Sequence, residues 1–552
     1  MPLMGSLYIG TSGLQAGQNA LNTTAHNLTN IDTKGYTRQQ SLLDTKVYVS
    51  LASNSAGISK PQYGLGVNYA AVRQVRDTFL DKTYRKESGR SMFYQASTEA
   101  LEEIETVLGE MNGEDFQTSL TNFWTAVQEL TKDPSSSVTQ GLLVQRATEF
   151  LDRSTAVYDD LCSYQDSLNQ KVKQYVDKIN DYGKKILQLN DQIRLIETGG
   201  IEHANDLRDT RNQMLDELGQ LCKMTYKEDM WGNVSVQIEG TDFVKGSSCY
   251  EIGLDVDGTT GFYTPFWPQN AEYTIMDDGT KSYDISHAKV FDLLQTISPT
   301  MDTDIGGLKA VLLARGDHRA TYADIEQGYD NISQSVVMNI QAEFDQLIHN
   351  VVTSINEILA NACNPETGYM CDKDGSPLQL FKKITTDGYV KSIGPNGEET
   401  WTYMEEDFAH PDTMYTLNNL KINGNLTQES SMLGFRLEDG SVDYTLAEKL
   451  AAAFTNEDYC LNPNVQKKTC FVDYYSDLVA QVANSGAVFK SIYESQQVTV
   501  ESTYSAREQV VGVSSDEELS NMIKFQNAYN ASSRYINVIG EMLEHIINTL
   551  GM

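Results

Sequence analysis

The strongest pattern along the chain is a run of positions in steps of three and four, mostly apolar, between Leu151 and Ile196. The positions are Leu151, Ser154, Tyr158, Leu161, Gln165, Leu168, Val172, Tyr175, Ile179, Tyr182, Ile186, Leu189, Ile193 and Ile196. This spacing lasts for about six heptads without a proline, which is typical of a coiled-coil-like helix. At 1.5 Å per residue such a helix spans roughly 70 Å. The pattern therefore predicts a rod and not a pocket.

Similar seams occur in the middle of the chain and at both ends. The internal seam lies within 337–358, the N-terminal seam is Leu7, Leu14, Leu21 and Leu28, and the C-terminal seam is Met522, Phe525, Tyr529, Ile536, Leu543 and Leu550. Turn residues after Asn30 end the first helix, and Gly10 and Gly17 permit a close helix approach. Ser515 and Glu518 have capping-box spacing at the start of the last helix. Neither terminal stripe is buried by its own helix. The spacing leaves open whether the two helices pair with each other or pack separately on the core.

Between the seams, alternation of apolar and polar residues predicts strands. Residues 234–238 alternate in this way, and 389–393 with 400–403 flank a Pro-Asn-Gly turn. We therefore predict an α+β fold, with a long-helix, coiled-coil-like bundle built from both termini and the middle of the chain and one or two inserted β-rich domains. The predicted units are 1–35, 36–222 together with 300–360 and 481–515, 223–299, 361–480, and 516–552.

Net charge narrows the range of partners. The 552 residues include 76 acidic and 42 basic side chains, which gives a formal charge of −34. A surface this negative repels phosphate backbones, so we expect neither nucleic acid nor anionic lipid as a partner. No apolar run approaches the roughly 20 residues of a membrane span, and we expect no cleaved signal peptide.

The seven cysteines do not have the spacing of a metal array or of a disulfide scaffold. Two local pairs bracket short polar loops, Cys363 with Cys371 and Cys460 with Cys470. Either these are free thiols in loops, or each pair closes a small loop in an oxidising compartment.

Candidate catalytic and metal sites are weak. The seven histidines are scattered, and the segments that start at Asp255 and Asp372 begin like calcium loops but lack the glutamate at their twelfth position. We expect no enzyme activity, no cofactor and no metal. The alternatives are a secreted coiled-coil adhesin that binds a ligand through its β-rich domains, or a hydrolase inserted in the variable regions.

A family resemblance is carried by segments at both ends of the chain. Residues 25–39 read AHNLTNIDTKGYTRQ, a second element follows in 64–80, and a third lies in 517–536. Together these segments resemble the signatures of the flagellar rod, hook and hook-associated axial proteins. The internal elements NDLRDTRN at 205–212, GGLKAVL at 306–312 and TLNNLKIN at 416–423 resemble those of the hook–filament junction subunits of this family. Another axial protein, such as the hook protein or the second junction protein, is the closest alternative.

The resemblance implies a structural subunit that is exported without a cleaved signal and polymerises as a layer on the distal end of the hook. The expected partners are further copies of the chain, the hook protein, the second junction protein and a cytoplasmic export chaperone on the C-terminal helix. The expected location is extracellular, at the hook–filament junction. Residues 1–35 and 516–552 would be disordered in the monomer and would pair on assembly. The expected assembly residues are the two terminal seams together with Asn27, Asn30, Gly35 and Tyr36.

Overall fold

A single long helix, Ser137–Glu197, organises the structure. The structure is a computed structural model, and it describes residues 2–46, 49–50, 62–109, 116–199, 203–276, 281–393, 399–437 and 439–550. The helices are α1 Pro2–Thr29, α2 Thr78–Gly109, α3 Phe116–Lys132, α4 Ser137–Glu197, α5 Asn205–Leu221, α6 Gly307–Arg315, α7 Tyr322–Ile332, α8 Val336–Asn361, α9 Gly424–Gln428, α10 Tyr444–Thr455, α11 Phe471–Val511 and α12 Ser515–Leu550.

The strands are short and antiparallel. They are β1 Gln39–Thr45, β2 Val49–Ser50, β3 Gln62–Tyr63, β4 Val67–Gln74, β5 Met224–Glu228, β6 Val234–Ile238, β7 Thr241–Lys245, β8 Ser248–Cys249, β9 Gly253–Val256, β10 Tyr263–Phe266, β11 Glu272–Ile275, β12 Lys281–Asp284, β13 Phe381–Lys383, β14 Tyr389–Ile393, β15 Glu399–Tyr403 and β16 Leu420–Ile422. Strands β5 to β8 form a four-stranded sheet in sequence order, and the others pair two by two. The predicted α+β fold with long helices and small inserted sheets is confirmed.

Helix α4 follows the predicted seam closely. It has 61 residues, about 90 Å at 1.5 Å per residue, and Ser136 caps its first turn by accepting from the backbone N–H of Val138. The seam positions are buried from Leu151 to Ile193, except that Val176 is buried where Tyr175 was expected. An α-helix has 3.6 residues per turn, so a stripe read at a period of 3.5 drifts around the helix with length.

One contiguous core lies between α4, α8, α2 and α11. Its centre is aromatic: the Phe116 ring lies 5.0 Å from that of Phe344 and 4.6 Å from that of Tyr475. The Tyr475 hydroxyl donates to the Leu108 carbonyl at 2.6 Å, which joins α11 to the end of α2. The helices from the middle and the C-terminal part of the chain therefore share one hydrophobic interior.

Asparagines on α4 attach the β-rich segment to this bundle. Asn190 accepts from the N–H of Val234 and donates to its carbonyl, and Asn180 does the same with Ile252. Asn169 accepts from the N–H of Tyr263. An amide side chain has both a donor and an acceptor, so it replaces a neighbouring strand at these backbone groups. The strands of 223–299 are thereby fixed along the length of one helix.

The region 361–480 contains less strand than its alternating pattern predicted. The predicted hairpin of β14 and β15 forms, with Tyr389 opposite Tyr403, while residues 395–397 of its predicted turn lie outside the described residues. Helix α10 and short helical turns occupy much of the rest, and α11 begins at Phe471 and not near residue 481. The other predicted domain boundaries stay predictions.

Candidate assembly interface at the chain ends

Helices α1 and α12 pack against each other in antiparallel orientation, and we call them the terminal pair. The approach is close because glycines of α1 face side chains of α12. A Cβ on Gly10 would lie 2.6 Å from Ile536 Cγ1, and one on Gly13 would lie 2.6 Å from Ser532 Oγ. The question that the sequence left open is therefore answered in favour of pairing between the chain ends. The first helix ends at Thr29, next to the predicted stop.

The predicted leucine seam of α1 flanks this contact and does not form its centre. Leu7, Leu14, Leu21 and Leu28 are half-buried. The buried positions of α1 are small or polar: Gly10, Ser12, Ala16, Gly17, Ala20, Thr23, Thr24 and Asn27. Small residues permit the backbones to approach closely, and the larger leucines lie at the edge of the contact.

Helix α12 leaves most of its apolar side chains in contact with solvent. Met522, Phe525, Tyr529, Ile536 and Leu543 of the predicted seam are half-buried, and the Leu550 side chain lies outside the described part. Seven further apolar residues are 36% to 68% exposed: Leu519, Ile523, Tyr535, Val538, Met542, Ile546 and Ile547. Apolar surface on this scale marks an interaction site in a soluble protein.

Signature residues of the N-terminal segment bind Glu518 of α12 where the terminal pair meets the rest of the chain, which we call the body. We call this set of contacts, made by Asn27, Tyr36, Arg38, Gln39 and Glu518, the joint. Asn27 is 1% exposed, and its side-chain oxygen accepts from the Tyr36 hydroxyl at 2.7 Å and from the Gln39 N–H at 3.0 Å. Its amide donates to the Gln39 carbonyl and to Glu518 Oε2. An aspartate at this position would lack the donors and a leucine would lack both functions. Asn27 and Tyr36 are thus joined within one subunit.

Glu518 receives the other half of the joint. It is 1% exposed, and Arg38 donates to its Oε1 at 2.8 Å and also pairs with the exposed Glu517 at 2.9 Å. The backbone N–H of Glu518 bonds to the Ser514 carbonyl, so Ser515 already lies inside the helix. The predicted capping box of Ser515 and Glu518 is therefore wrong, because the Glu518 carboxylate faces Asn27 and Arg38.

The turn after α1 is stabilised by the two remaining signature residues. Asn30 donates through its amide to the His26 carbonyl at 2.9 Å and accepts from the Thr33 hydroxyl at 3.1 Å. Gly35 has a φ of +82°, in the left-handed region that favours glycine, and lies over the Gln213 side chain. These residues end the helix and direct the chain toward α5.

Asp209 of α5 holds the signature segment to the body. Its carboxylate accepts from the Thr37 N–H at 3.1 Å, from the Thr37 hydroxyl at 2.5 Å and from Gln74 at 2.7 Å. Burial raises the pKa of Asp209 to about 6, against the opposing effect of these hydrogen bonds and of the Arg76 charge. From the sequence, the segment 205–212 served only as a family resemblance, and this role was missed. The alternation of Asp and Arg in NDLRDTRN was the available signal.

A buried ion cluster continues from this point into the body. Arg76 lies 2.9 Å from Asp81, and Arg85 lies 2.6 Å from Asp216. Arg507, near the end of α11, joins both carboxylates, at 3.0 Å from Asp81 and 2.7 Å from Asp216. Burial opposes ionisation of Asp81, but the hydrogen bond and charge of Arg76 lower its pKa overall. The cluster ties the segment between β4 and α2 to α2, α5 and α11 beside the joint.

The cysteines of the two predicted pairs differ in geometry. Cys363 and Cys371 have their sulfur atoms 2.9 Å apart. Cys470 is buried, and its sulfur lies 3.5 Å from Asp473 Oδ2. All of these cysteines carry free thiols in this structure, and the pairing of Cys460 with Cys470 stays a prediction.

Other chemistry suggested by the sequence does not assemble into a site. Asp372 is held by Lys382, Asn423 and Asn425, and Asp257 is held by its own turn. Among the residues described, no group of three or more histidine, cysteine or acidic side chains is arranged to hold a metal ion. Within the same ranges, no helix has the length and apolar character needed to cross a membrane.

Comparison with known proteins connects this architecture to a family. A family model described as the flagellar hook-associated protein FlgK helical domain matches residues 101–369. Flagellar hook-associated protein 1 of Bacillus subtilis is 24% identical over 98% of this chain and 97% of its own length, and that of Escherichia coli is 24% identical over 97% and 98%. The chain is thus similar to flagellar hook-associated protein 1 along nearly its whole length.

Two further family models fall on the terminal pair. A flagella basal body rod protein model matches residues 7–37, and a flagellar basal body rod FlgEFG protein C-terminal model matches residues 509–549. These ranges hold most of α1 with Asn27 and Tyr36 of the joint, and nearly all of α12 with Glu518. The fold is similar to that of the flagellar hook junction protein FlgK from Burkholderia pseudomallei, with a TM-score of 0.51 and 13% identity over 79% of this chain and 100% of that chain.

Proposed function

We propose that this chain is a structural subunit of the bacterial flagellum that joins hook to filament by polymerising as a layer on the distal end of the hook. The observation that carries the proposal is the terminal pair, which is matched by axial-protein models at both ends and still exposes seven large apolar side chains on α12. We infer a structural protein and not an enzyme, because the proteins that it resembles are flagellar hook-associated proteins.

The exposed apolar side chains of α12 supply the driving force for association. Each is about half exposed, so burying the remainder against a neighbouring subunit contributes about 1 kcal/mol. Seven such residues contribute several kcal/mol per subunit, as an upper limit. A contact of one subunit's terminal pair with a different surface of the next is head-to-tail, and such contacts generate helical lattices. The partners in this arrangement are further copies of the chain, the hook protein below and the second junction protein above.

The joint sets the direction in which the terminal pair leaves the body. Arg38 and Asn27 from one end of the chain both bind Glu518 from the other end, so neither end reaches its bonded position alone. In the free subunit we infer that residues 1–35 and 516–552 are disordered and that they become ordered on assembly. The ordering entropy is then lost only in the polymer, which suppresses premature association.

Export and location follow from the same proposal. The subunit acts outside the cell, after export through the flagellar channel, and a cytoplasmic chaperone covers the apolar stripe of α12 before export. A peptide spanning 510–552 is expected to capture this chaperone in a pull-down. If a chain that lacks this segment captures an equal amount of chaperone, α12 is not the chaperone-binding site.

The decisive experiment is the capping of purified hooks. Hooks incubated with the full chain and imaged by negative stain are expected to gain a layer at the distal end only. Met542→Asp places a charge on the exposed apolar stripe of α12 and is expected to prevent capping, whereas Asn537→Asp, on an exposed polar position of the same helix, is expected to preserve it. A wild-type chain that leaves hook ends unchanged, or that coats hooks along their length, would overturn the proposal.

A further inference from the structure

The loop from Cys363 to Cys371 directly follows α8. It begins the part of the chain between α8 and α11, which we call the outer region. Its two sulfur atoms are 2.9 Å apart, closer than two unbonded sulfurs normally approach, and both side chains are half-buried. The cysteines are therefore accessible to a small oxidant and already adjacent. We propose that Cys363 and Cys371 form a disulfide that fastens the end of α8 to the outer region, a modification site separate from the assembly surface.

The backbone holds the two cysteines in place independently of their sulfur contact. The Asn364 N–H donates to the Tyr369 carbonyl at 2.8 Å, and the Leu378 N–H donates to the Met370 carbonyl at 2.9 Å. Met370 is 2% exposed, and the Tyr369 hydroxyl donates to Asp443 at 2.8 Å. Disulfides need particular distances and directions between the two residues. A loop that is fixed on both sides keeps the two sulfur atoms adjacent, so the bond requires only a further short approach of the sulfurs.

The covalent link would join the end of α8 to the start of the outer region. The backbone N–H of Cys363 bonds to the Ala360 carbonyl at the end of α8. Cys371 precedes Asp372, whose carboxylate is held by Lys382 and Asn423 of the outer region. A disulfide at this point restrains the separation of the outer region from the bundle.

The second cysteine pair gives the contrast. The antiparallel bridge between Tyr459 and Thr469 leaves Cys460 and Cys470 two residues out of register. Cys470 is 8% exposed and its sulfur faces Asp473. In Cys363 and Cys371 the sulfurs already touch, so only this pair combines contact with access.

Oxidation proceeds by exchange with a low-molecular-weight disulfide. The Cys371 thiolate attacks one sulfur of the reagent, which forms a mixed disulfide and releases one small thiol. Cys363 then gives its proton to solvent and attacks the Cys371 sulfur, which releases the second small thiol. The two cysteines lose two electrons and the reagent gains them. Burial and the neighbouring thiol raise the pKa of Cys363 to about 12, which makes Cys363 a poor first nucleophile.

The test uses the purified full chain, incubated with oxidised glutathione or with reductant, then alkylated, digested and mapped by mass spectrometry. After oxidation we expect one linked peptide containing Cys363 and Cys371. The buried Cys222 is expected to react with the alkylating reagent only after the chain is unfolded. In Cys363→Ser the second step is impossible, so Cys371 is expected to accumulate the mixed disulfide with glutathione.

A thermal measurement tests the restraint. The oxidised chain is expected to melt about 2 to 3 °C above the reduced chain, because closing a short loop constrains the unfolded state only modestly. This difference is expected to vanish in the double variant Cys363→Ser with Cys371→Ser, which provides the matched control. Recovery of both cysteines as alkylated thiols after oxidation, or a lasting mixed disulfide on Cys371 in the wild type, would overturn the proposal. Neither result depends on whether the chain caps hooks.

Discussion

Two adjacent glutamates at the start of α12 allow a sharp test of the joint. Both pair with Arg38, but the Glu518 side chain is 2% exposed and the Glu517 side chain is 62% exposed. Replacement of either with alanine removes one carboxylate from the same helical turn. The two substitutions therefore differ in the burial of the side chain that is removed, while their effects on helix propensity and net charge are nearly the same.

The expected magnitudes follow from the contacts that each glutamate makes. Glu518→Ala removes a charge-assisted hydrogen bond from Arg38 at 2.8 Å and one from Asn27 at 3.2 Å. Hydrogen bonds to a buried charge contribute about 1.5–3 kcal/mol each, and Arg38 keeps Glu517 as a partner, so we expect a loss of about 2–3 kcal/mol. Glu517→Ala removes an exposed ion pair and costs about 0–1 kcal/mol.

The assay is the concentration of chain that caps half of a set of purified hooks. A loss of 2–3 kcal/mol raises this concentration about 30- to 150-fold for Glu518→Ala, and we expect a change of less than about fivefold for Glu517→Ala. A double-mutant cycle with Arg38→Ala isolates the coupling, which should be large with residue 518 and small with residue 517. Equal shifts for both glutamates, or a lowered melting temperature of the body in Glu518→Ala alone, would refute the reasoning.

Three further predictions concern the same surfaces. Limited proteolysis of the monomer is expected to remove residues 1–35 and 516–552 and to leave the helical body, and full protection of both ends would contradict this. Leu21→Asp and Leu543→Asp, each at a half-buried position, are expected to abolish hook capping with little change in the monomer's melting temperature, as measured by calorimetry. Folding raises the pKa of Asp209 from 3.8 to about 6, so the folded state binds the proton more tightly than the unfolded state. The free energy of unfolding of the segment that Asp209 holds is therefore expected to fall as pH rises from about 4 to 6. Asp209→Asn should flatten this dependence, as measured by hydrogen exchange of α1 and α12 in capped hooks.

Long helices were predictable from the sequence because their signal is local and repeated. The seam of α4 is apolar at nearly every expected position, and burial follows it from Leu151 to Ile193. The contact between the chain ends was left open by the sequence, because Gly10 and Gly17 indicated a close helix approach but small residues carry no hydrophobic signal that identifies the partner helix. The leucines of the predicted N-terminal seam lie at the edge of that contact.

Polar contacts between residues far apart in the sequence could not be predicted either. Asn27 and Glu518 are 491 residues apart, and each by itself has an ordinary local explanation, one as a helix residue and the other as a cap. The asparagines of α4 that bind the β-rich segment are about three helical turns apart, but nothing in the sequence indicates which backbone groups they bind. The family resemblance pointed to the signature segment, but the partners of its residues required the fold.

The polar character of the joint and the apolar character of α12 are complementary. An apolar joint would tolerate several helix directions, since hydrophobic contacts are not directional. The buried bonds of Asn27, Arg38 and Glu518 are all satisfied in one arrangement, and an incomplete arrangement leaves a carboxylate buried without a partner. We infer that the joint specifies direction and that the exposed stripe supplies affinity. A subunit built in this way loses its ability to form a regular layer when the joint is broken, even though its apolar surface is intact. Glu518→Ala should therefore give irregular aggregates at high concentration, whereas Met542→Asp should give soluble subunits that do not associate.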